Sequence, residues 1–377
     1  MIAKCYEVPR KHKDAKRVLF LSDLHNLHQR VPTYYIVESE LEMVRAYAPY
    51  IDALYITGDY WDDSKYTRNE HVHVATSGIS TILGLAKQHG FSVRILNGTP
   101  SHDYGQSEMF ISLNSGIGAD VKYLNKIGIF YDESIKMHVG WVEDEYNVNA
   151  KDTEVEFSRL LREHGLDSVD LMVMHGCFKF QLPIESVSSH CERFWQRVVK
   201  YSIVIGHDHR FKFYGKITVP GSLERLSFNE EEDKGGLVID FRGEDVKQYL
   251  HVNKRACLQL TVPLIENYEE QRKMAIEYIE RILNHESRYI ARLRIFCKED
   301  SPIIEDVKKW KKEHDFHIQV EKERVKKRDV ATKVFDARKE LENITPENIA
   351  TLLSAEHQKR YEHHDKDLVL SVIKEHL

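Results

Sequence analysis

Five apolar runs along this chain stop at a histidine or an aspartate. They are Val18-Leu-Phe-Leu-Ser-Asp23-Leu-His25, Ala53-Leu-Tyr-Ile-Thr-Gly-Asp59, Val93-Arg-Ile-Leu-Asn97 leading to His102-Asp103, Leu171-Met-Val-Met-His175, and Ser202-Ile-Val-Ile-Gly-His207-Asp-His209. Continuous apolar stretches of this length read as strands buried on both faces. Pro32 to Tyr50 carries Leu41, Val44 and Tyr47 at helical spacing, and Ser77 to His89 predicts a second helix closed by Gly90. The rhythm of strand, helix and strand predicts an α/β domain with parallel neighbours.

Further along, Ile127 to Phe130 and Met137 to Val142 predict a second set of strands, with Asp132-Glu133 as turn chemistry. Thr153-x-x-Glu156 reads as a capping box opening a helix through His164. A helix over Glu192 to Lys200 follows, then strands over Lys216 to Val219 and Gly236 to Phe241, and the first domain, 1–250, closes there.

Residues 251–328 change pattern to a small α+β capping module. Strands are predicted over Ala256 to Val262, Ile290 to Cys297 and Phe316 to Val320. Helices are predicted over Glu266 to Leu283 and over Pro302 to Glu313, the latter with Ser301 as cap. A charged stretch leads into 329–377, where Ile349, Leu352 and Leu353, then Leu368, Val369, Val372, Ile373 and Leu377, form two apolar helical stripes. Such stripes either pack back on the body or dock a partner.

At 377 residues the chain suggests two or three domains, and 42% hydrophobic with 30% charged residues suits a folded protein. No apolar run reaches the roughly 18 residues of a membrane span, and the charged N-terminus has no signal-peptide core, so a cytoplasmic location without membrane attachment is expected. A net charge of -6 provides no basic field that announces nucleic acid. Five cysteines without a C-x-x-C pair fit reduced thiols. The 21 histidines are the excess that needs a chemical explanation.

Residues two apart on a strand project to one side, so Asp23 and His25 can face one object past the strand's end. Two divalent cations about 3.5 to 4 Å apart, sharing a carboxylate, can activate a water and stabilise displacement at phosphorus. Asp59 is the candidate bridge. Asp23, His25 and His209 would serve one cation, and His175 and His207 the other. Mixed imidazoles and carboxylates suit manganese, iron or zinc better than calcium. His102 can donate a proton to a leaving oxygen, with Asp103 orienting it. His28, Arg30, Tyr60, Trp61, Lys65, Arg68, Tyr104 and Arg210 flank these motifs as candidate phosphate or base contacts.

Asp23-x-His25, Gly58-Asp59-x-x-Asp62, His102-Asp103, His175-Gly176 and Gly206-His207-Asp208-His209, in this order, resemble the calcineurin-like metallophosphoesterase family. The resemblance implies two facing β-sheets flanked by helices, with a dinuclear site at the strand ends. Pro220-Gly-Ser-Leu-Glu-Arg-Leu-Ser-Phe-Asn-Glu-Glu with Lys234-Gly-Gly looks like the end of the nuclease domain of SbcD-type DNA repair nucleases. That implies manganese-dependent exonuclease and endonuclease activity on DNA, and homodimerisation. It also implies C-terminal helices docking on an SbcC-type coiled-coil ATPase. A stand-alone phosphoesterase for a nucleotide or small phosphodiester is the alternative.

The family's third motif reads Gly-Asn-His-Asp, its Asn a metal ligand, whereas this chain has Asn97-Gly-Thr-Pro-Ser-His102-Asp103. Asn97 reaching in, Ser101 standing in, or water filling the gap are the options. Adjacency favours Ser101, and with it a less tightly held second metal.

Overall fold

Alternate residues of the central strands enter different cores, because these strands are covered on both faces. Val18, Phe20, Ala53, Tyr55, Leu171, Val173, Val204, Leu237 and Ile239 share one core between two sheets. Their neighbours Leu19, Leu21, Leu54 and Ile56 pack outward into a second core, and Met172, Met174, Ile203 and Ile205 into a third. Runs that are apolar at every position are therefore required, rather than alternating ones.

The structure, a computed structural model, describes residues 2–62, 69–181, 186–228 and 230–322. Strands and helices are numbered in chain order. The first sheet has seven strands, in the order β1 (Ala3–Cys5), β13 (Asp245–Val252), β12 (Gly235–Arg242), β2 (Lys16–Leu21), β3 (Ala53–Thr57), β4 (Ser92–Leu96) and β5 (Val121–Leu124). The second has six, in the order β10 (Lys212–Tyr214), β11 (Ile217–Val219), β9 (Val199–Gly206), β8 (Val169–His175), β7 (Met137–Val142) and β6 (Ile127–Asp132).

Parallel pairing runs from β2 through β5 and from β7 through β9, so several strand ends point the same way. Helices α1 (Thr33–Tyr47) and α2 (Asn69–His89) cover the outer face of the first sheet, and α5 (Ala150–Glu163) and α6 (Glu192–Val198) that of the second. The expected fold class, two facing β-sheets flanked by helices, is what the chain adopts.

Residues beyond β13 build their own sheet, β14 (Gln259–Val262), β15 (Arg292–Cys297) and β16 (His317–Lys322), with α7 (Tyr268–Leu283) and α8 (Ile303–Glu313). Leu260, Ile279, Leu293, Val307 and Trp310 fill a separate core there. Met1–Glu321 forms one compact unit and Lys322–Leu377 another, of which Lys322 alone is described. The two C-terminal stripes, like Lys65 and Arg68, lie outside the described residues. Among the described residues no helix is long and apolar enough to cross a membrane.

Three local expectations need correction. Helix α5 begins at Ala150, and Asn149 caps it by accepting from the Lys151 amide; Thr153 and Glu156 lie inside the helix, where their spacing caps nothing. Ser301 does not cap α8, whose N-cap position is Pro302 with no side-chain bond. Helix α2 starts at Asn69 rather than Ser77.

Candidate metal centre

The strand ends do not simply continue the strands. β2 stops at Leu21, and both Asp23 (φ 50°) and His25 (φ 49°) then adopt left-handed backbone, as do Asp59 (φ 49°) after β3 and His207 (φ 97°) after β9. Simple two-residue alternation therefore does not bring Asp23 and His25 together. Each such residue costs on the order of 1–3 kcal/mol and persists only where its surroundings impose it. Here the exits of β2 and β3 run side by side, with Asp23 N donating to Gly58 O at 3.3 Å, His25 N to Asp59 O at 3.0 Å and Asn26 N to Tyr60 O at 2.9 Å. The second sheet is tied in by His207 N, which donates to Asp23 Oδ1 at 2.9 Å.

Two trios result. Asp23, His25 and His209 offer ligand atoms within 4.8 Å of one another, and so do Asp59, His175 and His207. Asp59 lies between them: its Oδ2 is 3.7 Å from His25 Nε2 and 3.2 Å from His175 Nε2. Gly58 (φ 91°) and Gly98 make this possible. A Cβ on Gly58 would lie 2.2 Å from His175 Nδ1, and one on Gly98 2.1 Å from the Asp59 backbone nitrogen.

The donor chemistry fits divalent cations. His175 Nδ1 donates to Thr57 O at 2.7 Å, which turns Nε2 toward the Asp59 carboxylate. That Nε2 is buried and without a hydrogen-bond partner. His25 Nδ1 faces Asp62 Oδ1 at 3.2 Å, and His209 Nδ1 faces Glu230 Oε1 at 2.9 Å. The two Nε2 atoms meet 3.1 Å apart, close enough for a proton on one ring, or a cation in its place, to join them. Imidazoles whose far nitrogen is held by a carboxylate or carbonyl are the usual form of metal-binding histidine.

Electrostatics carries the same message. Burial alone would raise Asp59 and lower His175, yet their mutual attraction holds the carboxyl well below its ordinary range and the imidazole well above. Burial opposes the charged form of His209 too, but Glu230 raises it. Protons here fill a role that a cation can take.

His102 is half-exposed beside this centre, its ring 4.8 Å from that of His25. Asp62, not Asp103, faces its Nδ1, at 3.3 Å, and raises its pKa. Asp103 is fully buried and instead accepts from the backbone of Trp61 at 3.0 Å and Gly98 at 2.7 Å, which pins the loop. Burial and then the nearby Asp59 charge push its carboxyl up to about 6.

Ser101 is exposed on the short helix α3 (Pro100–Asp103). Asn97 is engaged elsewhere, accepting from Tyr123 Oη at 3.0 Å and donating to Glu143 at 3.2 Å. Thr99 is the residue brought inward, its amide donating to Asp59 Oδ1 at 2.6 Å. Thr99, Asp62, Asp144 and Glu230 were not singled out from the sequence. Asp62 and Glu230 do lie within motifs quoted there, at positions facing the histidines.

Of the flanking candidates, Tyr60 and Trp61 are fully buried and packed on each other, Tyr60 also on Phe110, unavailable to a base. Arg210 pairs with Asp208, and the His28 ring accepts from the Arg30 and Val31 amides. Tyr104 is exposed. Burial pushes the Cys177 thiol up to about 12, so it stays protonated.

No family model matches the chain, and no curated protein matches it. Among the solved structures that align with it are TT1561 of Thermus thermophilus, at 10% identity, and a second crystal structure at 11%. Each alignment covers 63% of this chain and 99% of the other, at a TM-score of 0.38. A likeness this loose carries no argument about chemistry.

Proposed function

We propose that the chain is a metal-dependent phosphodiesterase of calcineurin-like type, working as an SbcD-type DNA nuclease with exonuclease and endonuclease activity. The observation that carries this reading is the position of Asp59 Oδ2 between His25 and His175, one from each trio. Asp23, His25, Asp59 and His209 would hold one cation, and Asp59, His175 and His207 the other, with Mn²⁺ suited to the mixed donor set. When bound, the pair supplies an activated water and a clamp on the attacking and leaving oxygens.

His102 belongs to neither of those two trios but groups with His25 and Asp62, and Asp62 raises its pKa. Protonated, it donates from its ring to the leaving oxygen as the P–O bond breaks. Asp62 neutralises the imidazolium and fixes the ring, while Asp103 keeps the loop carrying His102 in position.

Docking of 329–377 on an SbcC-type coiled-coil ATPase, homodimerisation and DNA repair as the setting are part of the same proposal and rest on the sequence resemblance. Deleting Asn343 to Leu377 is expected to spare hydrolysis of simple phosphodiesters and abolish ATPase association. Undiminished co-purification removes the docking assignment.

A second reading has its own observation. A cavity of about 240 Å³, lined in part by Glu143, Asp144, Glu145, His190 and His207, opens beside the second trio. That volume suits part of a nucleotide, and its acidic wall repels a polyphosphate backbone. A stand-alone phosphoesterase for a small phosphodiester would use it.

Incubation of the protein with labelled single- and double-stranded DNA, and with a chromogenic phosphodiester, separates the readings. Mn²⁺-dependent cleavage of DNA, removed by chelation, is the expected outcome. His102→Ala should lose roughly 10²–10⁴-fold in rate with metal binding intact. Hydrolysis of the small ester with DNA untouched favours the second reading, and no hydrolysis of either overturns both.

A further inference from the structure

The side of the second trio nearest His207 holds an acid that neither strand-end pattern nor motif marks. Asp144 leaves the end of β7, and its Oδ2 lies 3.4 Å from His207 Nδ1. Its other oxygen accepts from the Glu145 amide at 2.9 Å, which orients the carboxylate. Thr99 Oγ1 sits in the middle, 2.9 Å from Asp144 Oδ2, 3.3 Å from Asp59 Oδ2 and 3.3 Å from His207 Nδ1. One hydroxyl hydrogen can serve a single acceptor. Two carboxylates and an imidazole are therefore gathered around a group that satisfies one of them.

The wall opposite supplies the independent observation. His175 Nε2 is fully buried, has no hydrogen-bond partner, and points at Asp59 Oδ2 from 3.2 Å. An amide oxygen that could complete this seat is absent from it, since Asn97 is bonded to Tyr123 and Glu143. Ser101 is exposed on α3.

We propose that Asp144 is a protein ligand to the cation seated among Asp59, His175 and His207, its carboxylate moving in from just outside the 4.8 Å grouping of those three, with Thr99 donating its hydroxyl hydrogen to one of the two carboxylates. This rests on the dinuclear reading above. A serine stand-in would leave the second ion weakly held, whereas a second carboxylate adds a negative charge to its seat. The second seat then has two carboxylates and two imidazoles around one divalent cation. Oxygen-rich, anionic surroundings favour a hard ion such as Mn²⁺ over softer competitors.

The test is titration of the full chain with Mn²⁺, followed by calorimetry and by the low-temperature electron paramagnetic resonance signal of a spin-coupled ion pair. Wild-type protein should bind two ions. Asp144→Ala should weaken one of them by more than the ~10–100-fold that loss of a merely orienting partner costs, leave the other unchanged and remove the coupled signal. Asp144→Asn, which keeps the shape and one neutral oxygen, should fall between and guards against a folding defect. Thr99→Val, which keeps the backbone amide, should cost less than Asp144→Ala.

Equal affinities for both ions in Asp144→Ala and wild type overturn the assignment. So does a loss that follows Thr99→Val and not Asp144→Ala. Wild-type protein binding fewer than two ions overturns the dinuclear centre itself and the Asp144 assignment with it, so the two failures are distinguishable.

Discussion

Asp62 Oδ1 lies 3.3 Å from His102 Nδ1 and faces that ring, although Asp62 is forty residues away in the chain and Asp103 is adjacent. The same oxygen is 3.2 Å from His25 Nδ1, so one acid holds both a candidate metal-binding ring and the candidate proton donor. Position in the chain suggested Asp103, but its two oxygens are already taken by backbone amides.

Asp62→Asn should therefore alter the pH profile of hydrolysis. The bond to Asp62 is the largest cause raising His102. Without it the donor loses its proton at lower pH, and the alkaline limb of kcat/KM moves toward acid. An alkaline limb that stays in place would assign the proton donor elsewhere.

Glu230 fixes the His209 ring and is itself held by Lys234 at 3.0 Å and by the Leu226 amide at 3.0 Å. Glu230→Gln should weaken the ion served by His209 by about 10–100-fold while the second seat keeps its affinity. Mn²⁺ titration reads both.

Gly98→Ala places a Cβ 2.1 Å from the Asp59 nitrogen and 2.2 Å from its Oδ1. Neither can yield without moving the carboxylate between the trios. Loss of both ions is expected, together with a stability cost of about 1–3 kcal/mol, read by denaturant unfolding in chelator.

Glu40 tests pH dependence away from the centre. It is fully buried on α1, Tyr60 Oη donates to its Oε2 at 3.3 Å, and Oε1 has no partner. Burial pushes its carboxyl up to about 8. The unfolded chain releases this proton near pH ~4.3, so across that window the folded state holds the extra proton and stability falls as pH rises, by up to about 1.4 kcal/mol per unit. Glu40→Gln should flatten the decline, giving a higher Tm than wild type near pH ~8 and a similar one near pH ~4. Parallel Tm curves for the two proteins would contradict a protonated Glu40.

The buried strands and their polar ends were legible because both faces of these strands are covered, which forces unbroken apolar runs that stop where the backbone meets the site. His25, Asp59, His175, His207 and His209 announce themselves in that way. Thr99 and Asp144 do not. One sits in a loop whose conformation follows from Gly98 packing against Asp59, and the other ends β7, a strand with partly exposed positions whose pattern resembles an ordinary loop entry. The short edge strands β1 and β10 were equally silent, since their three residues are mostly exposed and carry no apolar run, unlike the equally short but buried β11. The capping-box error at Thr153 has a simple cause: the same spacing also occurs inside helices, and Asn149 had the better geometry for the amide of Lys151.

Asp23, His25 and Asp59 follow strands of one sheet, while His175, His207 and His209 belong to the other. Whatever fills the gap between them acts as a fastener across a seam, and its binding energy becomes cohesion between the two layers. Stripped of cations, the side chains that face one another across the seam lose that tie, so metal starvation should loosen the joint.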